Sequence, residues 1–371
     1  MIDIAELEAA ARAHAAEWDR TGLPTEVIVL AAGAGLLGPD RSRDWGGHGL
    51  DAYELGELAS RLGALCTSLR SLLTVGAMVS AAVDRWATAE QRAYWLPRLV
   101  SGELVAGLAA TEPGAGTELG SVATAFEDHG TEFRVSGRKL WVSFGEVADV
   151  LLVLGRADGG LLSALVRTDQ PGVSVEPVTG QLGMRGARIA HITLDGARVP
   201  RDQLIGPPGF GLSHVLGTAL DHGRYTVAWG CAGMARTCLH EAARYAAERT
   251  QGGTRLAEHA TIRAALGRGW VDIRSARALC ESAARARAAA DPETVMVTLA
   301  AKYAAAQTAA RVGAEAVQIL GAAGCAADSI VQRFARDAAV AQIIEGSRDI
   351  AELHLGEQLL TLVARETGDL A

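Results

Sequence analysis

The sequence predicts an α+β chain of three domains: an N-terminal helical domain over residues 1–104, a small β domain over 105–206 and a C-terminal four-helix bundle over 207–371. Three observations carry this reading. Apolar residues recur at three- and four-residue spacing before about Glu103 and again after about Gly211, the period of amphipathic helices. Between Val105 and Val199 the segments are short and rich in β-branched and aromatic residues, with Gly-containing turns between them. And 371 residues, 49% of them hydrophobic, suffice for more than one core.

Taken in order, AELEAAARAHAAEWDR and LDAYELGELASRLGAL read as helices, separated by the turn-rich PDRSRDWGGHG. ATAEQRAYWLPRLV reads as a third helix ending near Pro97. The strands follow: EFRVSG, KLWVSFG, ADVLLVLGRA, SALVRT, GVSVEPV and AHITLDGARV, with turns at Asp158-Gly159-Gly160 and Asp195-Gly196. Their number and spacing suggest a compact barrel or sandwich. HEAARYAAERT, the stretch from Leu256 to Ala290 and the stretch from Asp291 to Leu320 predict three long helices. A shorter one, SIVQRFARDAAVAQII, precedes a last helix from about Arg348, and short links between long helices argue for a bundle.

Composition excludes several classes. A net charge of −8 with a pI near 5.6 lacks the basic footprint of nucleic-acid binding. Only Lys139 and Lys302 are lysines; the other thirty-three basic side chains are arginines. Five cysteines (Cys66, Cys231, Cys238, Cys280 and Cys325) lie without CxxC or Cys/His spacing, which points to reduced thiols and no zinc site. The opening MIDIAELEAA carries acid where a signal peptide is positive, and the apolar run from Val27 to Gly38 is too short for a bilayer. The expectation is a cytoplasmic protein with no membrane span.

Five segments in order resemble the acyl-CoA dehydrogenase family. They are Ala87–Glu103 (ATAEQRAYWLPRLVSGE), Ala110–Val122 (ATEPGAGTELGSV), Leu140–Asp149 (LWVSFGEVAD), Leu182–Pro200 (LGMRGARIAHITLDGARVP) and Ala316–Ile350, from AVQILGAAG to IIEGSRDI. The resemblance implies FAD held by the β domain and the bundle, a site completed by a second subunit, and hence a homodimer or homotetramer.

The loop Thr111–Thr117 (TEPGAGT) has glycines that allow close approach of a ligand and hydroxyls that can donate, although taken alone it reads sooner as an ordinary Pro-Gly turn. The resemblance places Leu108, Thr111 and Thr117 along the flavin, with Thr117 also at the substrate thioester. Trp141 and Ser143, two apart on a predicted strand, share one face. The resemblance puts both beside the isoalloxazine, whereas a strand tryptophan is ordinarily core; Phe144 stands where the family often has Asn. Asp221 and Arg224 are spaced as a surface ion pair, and the resemblance assigns them to the substrate's pantetheine and nucleotide. It carries Arg249, Gln251, His259, Gln318, Gly321 and Ala322 over to the cofactor, Arg249 meeting its pyrophosphate with a fork suited to phosphate. Gly252 and Ala260 depart from the family pattern, replacing a phenylalanine and a polar residue. The other histidines show no metal-ligand spacing.

Glu345 is the candidate base. It follows the apolar AVAQII and precedes Gly346, Ser347 and Asp349, where Ser347 reads as an N-cap and Asp349 suits a helix first turn. A carboxylate so placed is poorly solvated, and its pKa is expected to rise towards the working pH. The resemblance assigns Glu345 the α proton while the β hydrogen leaves as hydride for the flavin, with the Glu345 N–H bonding the thioester carbonyl. It also brings Gly346 to the substrate and Ser347 and Asp349 to the cofactor. Some relatives carry the base on the first bundle helix, but the matching residue here is Gly223, which cannot serve. Ile344 replaces a bulkier residue of straight-chain members. Electrons then pass to an electron-transfer flavoprotein or another acceptor. Two further readings stay open: oxidation of a short oxygenated acyl group on an acyl carrier protein in polyketide extender-unit biosynthesis, and a non-catalytic binding module, against which Thr111, Trp141, Arg249 and Glu345 argue.

Overall fold

A computed structural model describes residues 2–367; the last four residues of the predicted bundle lie outside them. Among the described residues, helices come first, strands second and helices third, as the periodicity predicts. The chain forms two compact units, Met1–Asp51 with Ser68–Gly223, and Ala52–Thr67 with Arg224–Ala371.

The first unit begins with α1 (Ala5–Thr21), whose apolar stripe Leu7, Ala11, Ala15 and Trp18 is buried. The uncharged run that starts at Val27 belongs to α2 (Thr25–Gly33) as far as Gly33. Helix α3 (Ala52–Gly63) belongs to the second unit. Helix α4 (Thr67–Trp86), which the periodicity did not specify, is buried almost all round, so it lacks the polar face that would have revealed its period. Helix α5 (Ala89–Ser101) opens with a capping box: Thr88 Oγ1 accepts the Gln91 amide at 3.2 Å and Gln91 Oε1 accepts the Thr88 amide at 2.8 Å. It runs through Pro97 to close at Gly102, correcting the expected stop, because burial of Leu96, Leu99 and Val100 outweighs one missing hydrogen bond.

The β domain is one eight-stranded mixed sheet: β1 (Ala106–Ala109), β2 (Ala125–Asp128), β3 (Glu132–Val142), β4 (Val150–Ala157), β5 (Gly160–Arg167), β6 (Val173–Pro177), β7 (Ala190–Pro200) and β8 (Leu204–Ile205). Strand order is β6-β7-β3-β2-β4-β5-β8, with β1 parallel to β4. Buried on both faces, β4 is a continuous apolar run. Two expectations are corrected. EFRVSG and KLWV are one strand, β3. Asp195-Gly196 is no hairpin turn but a bulge within β7, where Gly196 takes φ 65° and its amide bonds Ser136 Oγ at 3.1 Å. Asp158-Gly159 does turn the chain from β4 to β5.

A π-helical stretch at Gly211–Leu216 leads into α6 (Gly217–Glu248). In the second unit, which takes α6 from Arg224 onward, α7 (Ala260–Ala288) and α9 (Ile330–Ala341) pack on α8 (Thr294–Leu320), Leu239 of α6 lies against Gly269 of α7, and α10 (Arg348–Thr367) lies on α8. Small buried residues let these helices approach: Cys280, Ala283, Ala305 and Ala309 are fully or nearly fully buried.

Candidate active site

The residues assigned to the flavin's reactive end lie in the first unit. Glu112 and Ala115 exchange backbone hydrogen bonds at 2.9 and 3.2 Å, so Thr111–Thr117 is a tight turn. Its anchor is the buried Glu112. One carboxylate oxygen accepts from Lys139 Nζ and Thr124 Oγ1, both at 2.6 Å, and the other from the Ala123 amide at 2.6 Å. Burial by itself would raise the pKa of Glu112, but these donors outweigh it and hold the carboxyl below its ordinary range. Lys139 is fully buried and bonds the Ala110 carbonyl as well. A Cβ on Gly114 or Gly116 would meet no protein atom within 4 Å, so this side of the turn has room for a ligand.

Trp141 is 53% exposed, not core. The end of β3 is irregular: Trp141 has φ 60°, its amide donates to His191 Nδ1 at 3.2 Å, and its indole meets the His191 ring edge-on at 5.2 Å. The pleat therefore ends before Ser143, which sits in the following turn and not on the strand as expected. Phe144, at φ 56°, is fully buried. A left-handed residue is where asparagine is tolerated; here burial of the ring compensates. Leu108 and Thr111 are half-buried and Thr117 exposed.

Beside Asp221 on α6, His222 Nε2 lies 3.3 Å from Asp40 Oδ2, and Arg41 pairs with Asp40 and, at 2.8 Å, with Asp84. Burial acts to raise the Asp40 pKa, yet His222 and Arg41 outweigh it and keep the carboxyl far below its usual range.

The second unit holds the candidate base. Glu345 ends the turn after α9 with φ 56°, and Gly346 has φ 100°. Two cations grip this turn: Arg224 Nε donates to the Glu345 carbonyl at 2.9 Å, and Lys302 Nζ donates to the Gly346 carbonyl at 2.7 Å. Arg224 is thus engaged by the turn and is not a solvated surface partner. Ser347 precedes α10 and accepts the Ile350 amide at 3.5 Å; Asp349, in the first turn, pairs with Arg348 at 3.0 Å.

Elsewhere in this unit, Arg249 is exposed where α6 gives way to a hairpin, and among the described residues no carboxylate pairs with it. The hairpin pairs Thr250–Gln251 with Thr254–Arg255 around Gly252 and Gly253, at φ 62° and 89°. A two-residue turn needs such angles, which accounts for glycine at 252. His259 does not lie on α7 but precedes it as N-cap, 3.2 Å from Thr254 Oγ1. Gln318 is exposed on the last turn of α8, which Gly321 ends at φ 59°; Ala322 follows in a short exposed helix. Unpaired arginine, exposed amides and open backbone are a donor set that fits a dinucleotide.

Glu112, Lys139, His222 and Lys302 are functional candidates that local sequence pattern did not single out. One signal was available for two of them: both lysines of an arginine-dominated chain are buried.

The comparisons bear on class and family. The acyl-CoA dehydrogenase N-terminal, middle and C-terminal domain models match residues 4–103, 107–197 and 209–360. Among curated relatives, a probable acyl-CoA dehydrogenase of Bacillus subtilis, YngJ, is 32% identical over 357 residues, covering 94% of this chain and 93% of its own. The human mitochondrial short-chain specific acyl-CoA dehydrogenase is 29% identical over 353 residues, covering 93% and 85%. Among solved structures, FkbI, described as for biosynthesis of the methoxymalonyl extender unit of the polyketide FK520, superposes with a TM-score of 0.90 at 35% identity, covering 96% and 99%. The class is that of FAD-dependent oxidoreductases acting on CH–CH groups of acyl thioesters. Within it, this chain belongs to the acyl-CoA dehydrogenase family.

Proposed function

We propose that Glu345 is the base that removes the α proton in the α,β-dehydrogenation of an acyl thioester. The observation that carries this is the turn itself: a carboxylate residue held in a left-handed backbone conformation that a side chain adopts only under constraint, a feature that clusters at functional sites. FAD, when bound, supplies the two-electron acceptor. The Glu345 amide donates to the thioester carbonyl, and a fixed donor there stabilises developing enolate charge. Leu108, Thr111, Thr117, Trp141 and Ser143 contact the flavin ring; Arg249, Gln251, His259, Gln318, Gly321 and Ala322 take the dinucleotide, with Ser347 and Asp349 at the cofactor's edge. Asp221, Arg224, Thr117 and Gly346 position substrate. Domain limits at 104/105 and 206/207 fit the gaps between α5 and β1 and between β8 and the π-helical stretch.

A second reading concerns the carrier. The likeness to FkbI over nearly the whole of both chains, with the methoxymalonyl extender unit its description names, supports an oxygenated acyl group; an acyl carrier protein is the alternative to CoA as its carrier. An electron-transfer flavoprotein or another acceptor reoxidises the enzyme. Five free cysteines support a cytoplasmic setting; no described helix is long and apolar enough to cross a membrane.

The test is anaerobic mixing of holoenzyme with acyl-CoA and acyl-carrier-protein thioesters while the flavin band is followed, with Glu345→Gln in parallel. One thioester should bleach the wild type and leave the variant yellow, identifying the carrier. Equal bleaching of the two proteins would remove Glu345 from the role.

A further inference from the structure

Lys302 is the second lysine of the chain, on α8, with 1% of its surface exposed. Its Nζ reaches 44 residues along the sequence to the Gly346 carbonyl at 2.7 Å. The preceding carbonyl, that of Glu345, accepts from Arg224 at 2.9 Å. Two successive carbonyls are therefore drawn to cations on two different helices, α6 and α8. Because each peptide is planar, fixing the carbonyls of Glu345 and Gly346 also fixes the opposed N–H groups of Gly346 and Ser347. Residue 345, with its Cβ, stays at φ 56° immediately before these anchors, and Gly346 lies between them. Such a conformation persists only where its surroundings over-determine it.

We infer that Lys302 is a positioning residue for the catalytic turn, its ammonium holding the Gly346 carbonyl so that Glu345 keeps the left-handed backbone that aims its carboxylate. This rests on the reading of Glu345 as the base. A compact ammonium with three donors suits this contact. It offers one short bond at the end of a stem buried within the bundle, where a planar guanidinium fork would need matched acceptors. Burial pushes the Lys302 pKa down to about 8, with Cys231 and Glu345 opposing the fall and Arg224 adding to it. That the amine stays buried despite this desolvation fits a group retained for a specific contact.

Lys302→Met removes the donor with little change in volume, and Lys302→Gln keeps a shorter one. Holoenzymes of the wild type, both variants and Glu345→Gln are compared by amide hydrogen exchange over residues 343–350, and by anaerobic flavin bleaching with butyryl-CoA as probe. Lys302→Met should speed exchange in the turn about tenfold, leave β4 exchange unchanged, and lower the limiting bleaching rate about tenfold, equivalent to about 1.4 kcal/mol. Half-saturation should move little, and Lys302→Gln should recover part of both effects. Turn exchange at the wild-type rate in Lys302→Met would overturn the inference, whatever the activity. So would loss of FAD or of the fold in both variants, which would make Lys302 a packing residue. If Glu345→Gln bleaches like the wild type, the base assignment fails, while turn exchange still judges the Lys302 contact.

Discussion

Glu345 and Gly346 show how one residue's backbone sets what its neighbours can be. Gly346 has φ 100°, and a Cβ there would meet only Arg224, its Nη2 at 3.6 Å. Space is available; the backbone angle is not. Gly346→Ala should therefore cost about 1–3 kcal/mol of stability or shift the turn, and in either event slow bleaching; denaturant midpoints and stopped-flow rates check this. Thiols offer a second residue-scale expectation. Burial pushes Cys238 and Cys280 up to about 12, and Cys66 and Cys231 are also buried, whereas Cys325 is exposed. Only thiolate reacts, so iodoacetamide should label native protein at Cys325 and the other four after unfolding, as counted by mass spectrometry.

At the scale of elements, the Glu112–Lys139 pair ties the Thr111–Thr117 turn to β3. Lys139→Met leaves a buried carboxylate without its cation and should cost about 3–5 kcal/mol, measured by urea unfolding. Adding Glu112→Leu should not restore stability, since the Ala123 and Thr124 amides would then lose their acceptor. The sign of the pH dependence follows from the lowered pKa of Glu112. Its contribution is complete above the ordinary carboxylate range and is lost as pH falls through the lower folded value. In Lys139→Met the folded pKa rises, so the acid loss of stability should begin at higher pH than in wild type.

For the whole molecule, we propose a homodimer or homotetramer. On α10, Leu353, Leu360 and Val363 form an apolar stripe at seven- and three-residue spacing, 54%, 71% and 48% exposed. Sedimentation should find at least a dimer, and Leu360→Glu should dissociate it. A wild-type monomer carrying a full complement of FAD would count against this assembly. A charge of −8 gives nucleic acid no electrostatic attraction to the molecule as a whole.

Local pattern by itself determined the α–β–α order, most strands and the long bundle helices, because amphipathic periods and turn residues are written in neighbouring positions. The Glu-Gly-Ser turn was legible for the same reason: a helix start and an apolar run bracket it. What only the tertiary structure decided depends on distant partners. Strands β1 and β2 are four residues each: β1 gains its pairing from the distant β4 through parallel contacts, and β2, paired antiparallel with β3, also meets β4 at Ala125, contacts that no local pattern announces. Helix α4 is buried on nearly every face and so shows no contrast of polarity. Pro97 and Asp195-Gly196 signal breaks locally, and burial or a bulge overrides both. Lys302 is the clearest case: nothing near it in sequence marks the Gly346 carbonyl, and only the packing of α8 against the turn brings a buried ammonium to it.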